Sequence, residues 1–585
     1  MLTNTGTIVA TGIAGAAVEM HGLYGTLLNS GALRTTAVAD ALRTGADAEG
    51  SVIVNTGVID GRIAANLGPD KRMENSGWIG YTGTEVVPIV SYFRGTFVQT
   101  AAGTFAPRVT DAGNDALRVD GTVRLAGALE ANFQTTTTNL PTTTTLLGAT
   151  EGITGTFDSF TTTGLPALFS ATLGYMPTKL TMNIAADLVG MGNTPNQRAV
   201  GAAIDGIINS TASSGTLTSL PDALNPLYGL TSTQLPGALS ALSGEAYASE
   251  QSVLIGDSFY TRQALLGRLR QSSYSGEVGP TAALSFGGPS IAYAAPAGLG
   301  ADFSTDAPRV PRSAFNGTIW SQAFGGWSDY DGAGTASVDA SLGGFVSGAD
   351  AKVEGWRIGA ALGYSHSSAN VDTLASSSDV DSLLLALYAG KSFGPWKVRL
   401  GASYAFNQID AERTIAYPGY AEKAKAEYDG GTAQGFAEVG YGFAVQKVAV
   451  EPFAGVAFVN LDTGGFTETG ASAGLKGSST SAGVGYSSLG LRMATTMELS
   501  GGSVLEPHAS IAWQYAFGDI VPEAQMSFLS APVANFIVAG VPLAENTAEI
   551  EIGSDLRISK QAQIGLSYVG QFAGDVTANA VQANI

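Results

Sequence analysis

Glu549-Ile550-Glu551-Ile552-Gly553-Ser554-Asp555-Leu556-Arg557-Ile558 sorts by parity: odd positions are charged or glycine, and even positions are almost all aliphatic. A β-strand sends successive side chains to opposite faces, so this segment has one face for grease and one for water or a polar filling. Lys397-Val398-Arg399-Leu400-Gly401-Ala402-Ser403-Tyr404-Ala405-Phe406 follows the same rule, as does His508-Ala509-Ser510-Ile511-Ala512-Trp513-Gln514-Tyr515-Ala516-Phe517. So sharp a split points to strands crossing a membrane as a closed barrel, apolar outside and polar within.

The pattern predicts twelve strands, at 318–328, 340–350, 353–366, 378–392, 396–409, 430–443, 446–460, 483–497, 504–517, 547–559, 561–573 and 576–585. Connections at 351–352, 393–395, 444–445, 498–503 and 560 are short; those at 329–339, 367–377, 410–429, 461–482 and 518–546 are long. Outer-membrane barrels alternate short periplasmic turns with long external loops in this way. Only the hairpin near Gly574-Asp575 departs, and Ile585 is expected at the periplasmic side. The fold class read here is mainly all-β: a parallel β-helix, a helical linker, then a twelve-stranded antiparallel transmembrane β-barrel.

Composition agrees. The 585 residues include no cysteine, 77 glycines and 13% charged residues, with a net charge of −20, which disfavours thiolate metal sites, disulfide frameworks and nucleic-acid binding. Mean hydropathy is +0.16 without a long apolar run, so transmembrane helices are not expected. No cofactor or metal is expected.

Parity assigns Arg357, Lys397, Arg399, Glu438, Glu451, Arg492, Glu549, Glu551, Asp555 and Arg557 to the lumen, where mixed charges can pair with one another or hold a chain in the pore. Taken singly, each is equally a solvated pore lining. Trp356, Tyr364, Trp396, Trp513 and Tyr515 are assigned outward as interfacial aromatics.

Upstream, Asn4-Thr5-Gly6, Asn29-Ser30-Gly31, Asn55-Thr56-Gly57 and Asn75-Ser76-Gly77 recur at intervals of 25, 26 and 20 residues, each followed by apolar residues. One Asn-x-Gly turn with a left-handed residue per rung builds a parallel β-helix; the competing reading is a Gly/Ala-rich segment without fixed structure. Residues 91–190 keep short strands without that repeat. Over 195–271 the spacing becomes helical: Leu235, Leu239, Leu242 and Ala246, then Leu265, Leu266 and Leu269, with Arg262, Arg268 and Arg270 suited to a helix C-terminus. A helix of 25 to 30 residues reaches about 40 Å. Residues 272–312, rich in Gly, Ser, Pro and Ala, read as a flexible link. Either the helix plugs the pore or the link threads it.

Tyr92-Phe93-Arg94-Gly95-Thr96-Phe97, Asn114 through Leu129, Gly152-Ile153-Thr154-Gly155-Thr156-Phe157 and Leu180-Thr181-Met182-Asn183 resemble the end of a pertactin-like autotransporter passenger, although Thr135–Thr138 and Thr142–Thr145 depart from that pattern. Ala241 through Ser249 is similar to the segment preceding an autotransporter barrel. Trp320 through Gly326, Gly343 through Asp350, Trp356-Arg357-Ile358-Gly359, Glu451-Pro452-Phe453 and Phe466-Thr467-Glu468 resemble the autotransporter β-domain. The resemblance implies 1–190 as passenger end and cap, 191–312 as linker and pore segment, and 313–585 as translocator. It implies an outer-membrane protein, monomeric, that secretes and anchors its own passenger at the cell surface. Its implied partners are outer-membrane lipid, the barrel assembly machinery, periplasmic chaperones and host or neighbouring-cell surface ligands. The alternatives are an adhesin-type passenger activity and a porin-like barrel with a degenerate passenger.

No enzyme is expected. Gly470-Ala471-Ser472-Ala473-Gly474 matches a nucleophile-elbow string but falls in a loop, and Gly256-Asp257-Ser258-Phe259, similar to a GDS esterase start, falls in the helix. The three histidines, His21, His366 and His508, lie in different segments. Met1-Leu2-Thr3-Asn4-Thr5-Gly6 lacks a basic region and an apolar core, so upstream residues are expected to exist. The chain ends in Ile585 where the family has an aromatic residue, and with no Asn-Asn pair the passenger is expected to stay attached.

Overall fold

The computed structural model describes residues 1–12, 15–45, 47–69, 71–135, 140–273, 317–499, 503–558 and 563–584. Most of the 272–312 link, Thr136–Thr138 and the turn at 560 lie outside these residues. The chain forms two compact units, 1–191 with 201–235, and 192–200 with 236–585.

The first unit is a stack of short, mainly parallel strands in three sheets, running from Leu2–Asn4 to Ser159–Thr163 and closed by the antiparallel pair Phe169–Tyr175 and Lys179–Ala186. Inward positions stack like on like. Leu27, Ile53, Met73, Phe97 and Val123 are register partners in one sheet, and Leu33, Ile59, Ile79, Phe105 and Leu129 in another; all are buried. Each such side chain contributes about 1.5–3 kcal/mol on burial, and no single rung could shield them alone.

The Asn-x-Gly repeat works differently from the expected left-handed turn. Gly31, Gly57 and Gly77 have no positive φ. The asparagines form a buried ladder instead: Asn4 Nδ2 donates to Asn29 Oδ1, Asn29 to Asn55 and Asn55 to Asn75, each at 2.7 Å, and Asn75 donates to Gln99 at 2.8 Å. The glycines permit close rung stacking: a Cβ on Gly57 would lie 2.1 Å from the Gly31 carbonyl oxygen, which accepts the Val58 N–H at 2.8 Å. Gly57→Ala is therefore expected to pry two rungs apart and cost about 1–3 kcal/mol. The Gly6→Ala control, with nothing within 4 Å of its Cβ, should leave the unfolding midpoint of the β-helix unchanged.

In the second unit, twelve long antiparallel strands close into a barrel: Gly317–Tyr330, Val338–Val353, Trp356–Val371, Ser376–Phe393, Trp396–Tyr417, Tyr420–Tyr441, Val448–Thr463, Thr480–Thr495, Val504–Gly518, Asn546–Arg557, Gln563–Phe572 and Val576–Asn584. Closure is by the last strand on the first, from Gln322 opposite Asn584 to Tyr330 opposite Val576. The loop expected at 410–429 is strand instead, turning only at 418–419. The loops at 461–482 and 518–546 contribute Phe466–Thr467, Leu475–Gly477, Glu523–Phe528 and Ala531–Ala539 to a four-stranded sheet. Outward positions such as Leu362, Leu385, Leu387, Val456, Leu489, Ile552 and Leu566 are exposed and apolar, as a lipid-facing band requires.

Three α-helices are described: α1, Pro195–Ile208; α2, Leu235–Leu242; and α3, Glu245–Ser273. The expected continuous helix breaks between α2 and α3, where Gly244 adopts φ +65°. With 29 residues, α3 extends roughly 44 Å at 1.5 Å per residue. Its backbone runs along the second to seventh barrel strands, and its side chains share a buried cluster with Trp320, Phe324, Val484 and Val569 of strands on the other side, so the helix fills the lumen.

Candidate functional site

The lumen is polar on only part of its wall. Ile255, Phe259, Leu265 and Leu269 of α3 join one buried cluster with Trp320, Phe324, Val346, Leu384, Val459, Val484 and Val569 of the strands. Uniformly polar inner positions were the expectation. The apolar stretches exist because a helix fills the pore and gives them something dry to pack against.

Charged residues cross-link the rest. Arg399 and Glu438 are register partners on adjacent strands, as are Glu451 and Arg492. Arg399 donates from Nη1 to Glu438 and Glu451 at 2.8 Å each and from Nη2 to Glu451 at 3.1 Å. Arg492 Nη1 donates to Glu438 at 3.0 Å and to Glu451 at 2.8 Å, its Nη2 also meets Glu438, and its guanidinium lies 3.5 Å from the Phe453 ring centre. From α3, Arg270 Nη2 reaches Glu438 at 3.0 Å. The helix is thus tied into the wall's own ion network.

A second tie joins α3 to the barrel's second strand, where Arg268 donates to both Asp350 oxygens at 2.6 and 2.9 Å. Arg357 and the Tyr388 hydroxyl also bond Asp350, and Trp320 Nε1 donates to that hydroxyl. A third tie holds the start of the helix: Arg413 grips Glu468, which also accepts the Tyr247 hydroxyl at 2.7 Å, with Tyr247 stacked on Phe466 at 4.0 Å. Nearby, Glu245 accepts from Asn196 Nδ2 at 2.7 Å and from the Ala336 N–H.

Of the remaining parity-assigned residues, Lys397 is buried. Glu549 accepts from Gln514 at 2.7 Å and Gln571 at 3.3 Å, and Glu551 lies 3.9 Å from Arg270. Asp555 accepts from Asn584 at 3.2 Å, and Arg557 donates to Glu506 at 2.6 Å. Arg270 lies in the last turn of α3 as expected, and Arg268 and Arg270 also pair with wall carboxylates; Arg262, further from the helix end, donates to Gln434 at 3.2 Å. Asp350, Arg413 and Glu468 were missed. Parity could have placed Asp350, which shares the inward register of Val346; Glu468 lies off the barrel strands, where no periodicity reaches it.

A space between helix and wall at the ion network has a volume of about 40 Å³, lined by Arg262, Arg270, Glu438, Tyr486, Glu549 and Glu551 among others. At roughly 10–15 Å³ per water this holds about three waters, too few for a hydrated ion path. The barrel should therefore show almost no single-channel conductance, and deletion of 245–273 should raise it to that of an open pore.

A closed antiparallel barrel with an apolar outer band and a salt-bridged helix in its lumen is a transmembrane β-barrel of the outer-membrane type. Residues 319–569 match the family model of the autotransporter β-domain, so this part of the chain is an autotransporter β-domain, a translocator of the outer membrane. Two extracellular serine proteases of Serratia marcescens are similar to it: one 29% identical over 357 residues, 61% of this chain and 31% of the relative, the other 28% identical over 368 residues, 62% and 32%. The chain spans about a third of the length of these relatives. Among solved structures, the translocator domain of the Neisseria meningitidis autotransporter NalP aligns at TM-score 0.37 and 17% identity, covering 46% of this chain and 86% of that one. The β-domain of the Bordetella autotransporter BrkA aligns at 0.35 and 20%, covering 46% and 97%.

The expectation that the chain is not an enzyme is overturned by the two relatives, both named as proteases. That expectation rested on two local strings and three separated histidines. Ser472 does bond a carboxylate, Glu422, and Tyr420 rather than a histidine, but one unproductive string says nothing about a whole protein's activity.

Proposed function

We propose that this chain is a self-secreting surface protein: its barrel carries the β-helical unit outward and then retains it through the helix in the pore. The observation that supports this most strongly is α3 itself, joined to the wall through Arg268 and Arg270 at one end and Tyr247 at the other. A general porin has no use for a covalently attached, salt-bridged plug. Insertion into the membrane would rely on the barrel assembly machinery, and transit across the periplasm on chaperones that keep unpaired strand edges from associating. The lumen-facing charges named above serve as the anchor for the helix. To test it, an epitope inserted at the exposed turn Gly22-Leu23 is followed on intact cells expressing the chain with a signal peptide. Accessibility of the epitope to protease, with the barrel protected, supports the proposal; an epitope protected until the cells are lysed refutes it.

The names of the Serratia relatives favour a second reading, in which the surface portion has serine-peptidase activity. Among the described residues His21 faces Asp47 at 3.2 Å and Glu19 at 3.4 Å, with no serine hydroxyl bonded to it. This reading therefore rests on the relatives. Labelling of the secreted chain by a fluorophosphonate probe, abolished by prior heat denaturation, would support it, and no labelling would count against it.

A further inference from the structure

One outward face of the β-helix carries two cationic side chains that form no ion pair among the described residues. Tyr92, Arg118 and Gly148 are register partners on three successive parallel strands, and Lys179 lies opposite Gly148 on the antiparallel strand that follows. These four positions share a face. At about 4.8 Å per strand they form a line roughly 14 Å long: a phenol ring, a guanidinium, a gap where glycine has no side chain, and an ammonium. The line runs along a groove of about 630 Å³, also lined by Asp120, Thr145 and Thr150.

In a chain of net charge −20, cations ordinarily find carboxylates. Asp120, which lines the same groove, is already occupied: it accepts from Thr150 at 3.1 Å and from the Tyr92 hydroxyl at 3.5 Å, and faces Arg94 at 3.6 Å. Arg118 and the Lys179 ammonium, both exposed, have no hydrogen bond or ion pair among the described residues. Two free cations flanking an open gap, with an exposed ring at one end, suit a ligand that carries repeated anionic groups on a stiff chain with apolar ring faces.

We propose that this groove binds an anionic oligosaccharide, with carboxylate or sulfate groups on Arg118 and Lys179 and a sugar ring against Tyr92. An acidic peptide fits less well. The strand Thr143–Ala149 is paired on both sides, so this face offers no free backbone edge to which a peptide could add as a strand. Recognition here is by side chains across a flat surface. The site needs only the folded β-helix, so it does not depend on how the chain reaches the cell surface.

Gly148 gives a direct test, because a Cβ there meets nothing nearer than the Thr178 carbonyl oxygen at 4.0 Å and its φ is not positive. Gly148→Gln therefore fills the groove without strain. The purified full chain in detergent is titrated calorimetrically with a heparin-derived octasaccharide, with a neutral maltooligosaccharide and a poly-glutamate peptide as comparisons. The octasaccharide alone is expected to bind. Gly148→Gln and the double change Arg118→Ser/Lys179→Ser should each weaken it tenfold or more without moving the thermal unfolding midpoint. Arg124→Ser, on another sheet, should leave binding unchanged. Failure of the octasaccharide to bind, equal binding of poly-glutamate, or binding untouched by the double change overturns the proposal.

Discussion

Glu438→Ala is expected to cost the barrel about 3–5 kcal/mol, the loss typical of removing one partner from a buried ion pair, and to loosen α3 as well. Glu438 is where the wall network and the helix meet: Arg270, Arg399 and Arg492 all bond its carboxylate. Without it, Arg399 and Arg492 share Glu451 alone, and Arg270 keeps only the more distant Glu551 at 3.9 Å, in a space that holds only a few waters. Burial limits screening by salt, so raising ionic strength should not rescue the variant. On a detergent gel run over a temperature series, the barrel of the variant should convert from its folded to its unfolded band at a distinctly lower temperature. Glu438→Gln keeps the shape but not the charge and should fall between the two. Adding Arg492→Leu to Glu438→Ala removes one uncompensated cation and should recover part of the loss. Recovery would show charge imbalance as the cause; additive losses would point to packing around Phe453.

The same residues show what period-2 reading can and cannot reach. Strand positions were legible because lipid enforces a rule on every outward residue, and the rule holds wherever lipid is present. It lapsed at 410–429, where Asp410, Glu412, Lys423, Lys425 and Glu427 occupy outward positions and suggested a loop. Those strands continue beyond the apolar band, where the outer face meets water; only the buried positions Ile409, Ile415, Ala424 and Ala426 still carry the alternation. For inner positions, parity names a face but not the contacts made on it. Nothing in the spacing of Arg268 and Arg270 says that Asp350 and Glu438, 82 and 168 residues away, receive them. The Asn-x-Gly repeat was visible as a period, yet its purpose, a side-chain ladder with glycine admitting the neighbouring rung, depends on stacking that a single rung does not contain.

Arg108→Met should produce a comparable loss in the β-helical unit, again about 3–5 kcal/mol. The segment between Trp78–Gly80 and Val90–Arg94 is too long to stay in the ladder, so its carbonyls need other donors. Arg108, fully buried, supplies them. Nη1 donates to the Gly83 and Glu85 carbonyls at 2.8 and 2.9 Å, and Nη2 to Val87 at 3.3 Å. Nε and Nη2 also hold Asp115 at 2.8 and 3.1 Å, so all five guanidinium N–H groups are used. Below it the Tyr81 ring centre lies 4.4 Å away, and burial, with a hydrogen bond to Glu85, pushes that phenol's pKa up. Methionine would fill the volume but leave three carbonyls without donors and Asp115 buried without its cation. Asp115 would keep only backbone donors such as the Ile89 N–H at 2.6 Å. Arg108→Lys should also fail, though less severely, because an ammonium has three donors and no planar fork to serve alternate carbonyls and a carboxylate together. The readout is the urea midpoint of the β-helix transition in the full chain, followed by tryptophan fluorescence at Trp78, the only tryptophan upstream of the barrel. If Arg108→Met left that midpoint in place, the loop would have to be held by packing alone, and the hydrogen-bond account of this segment would be wrong.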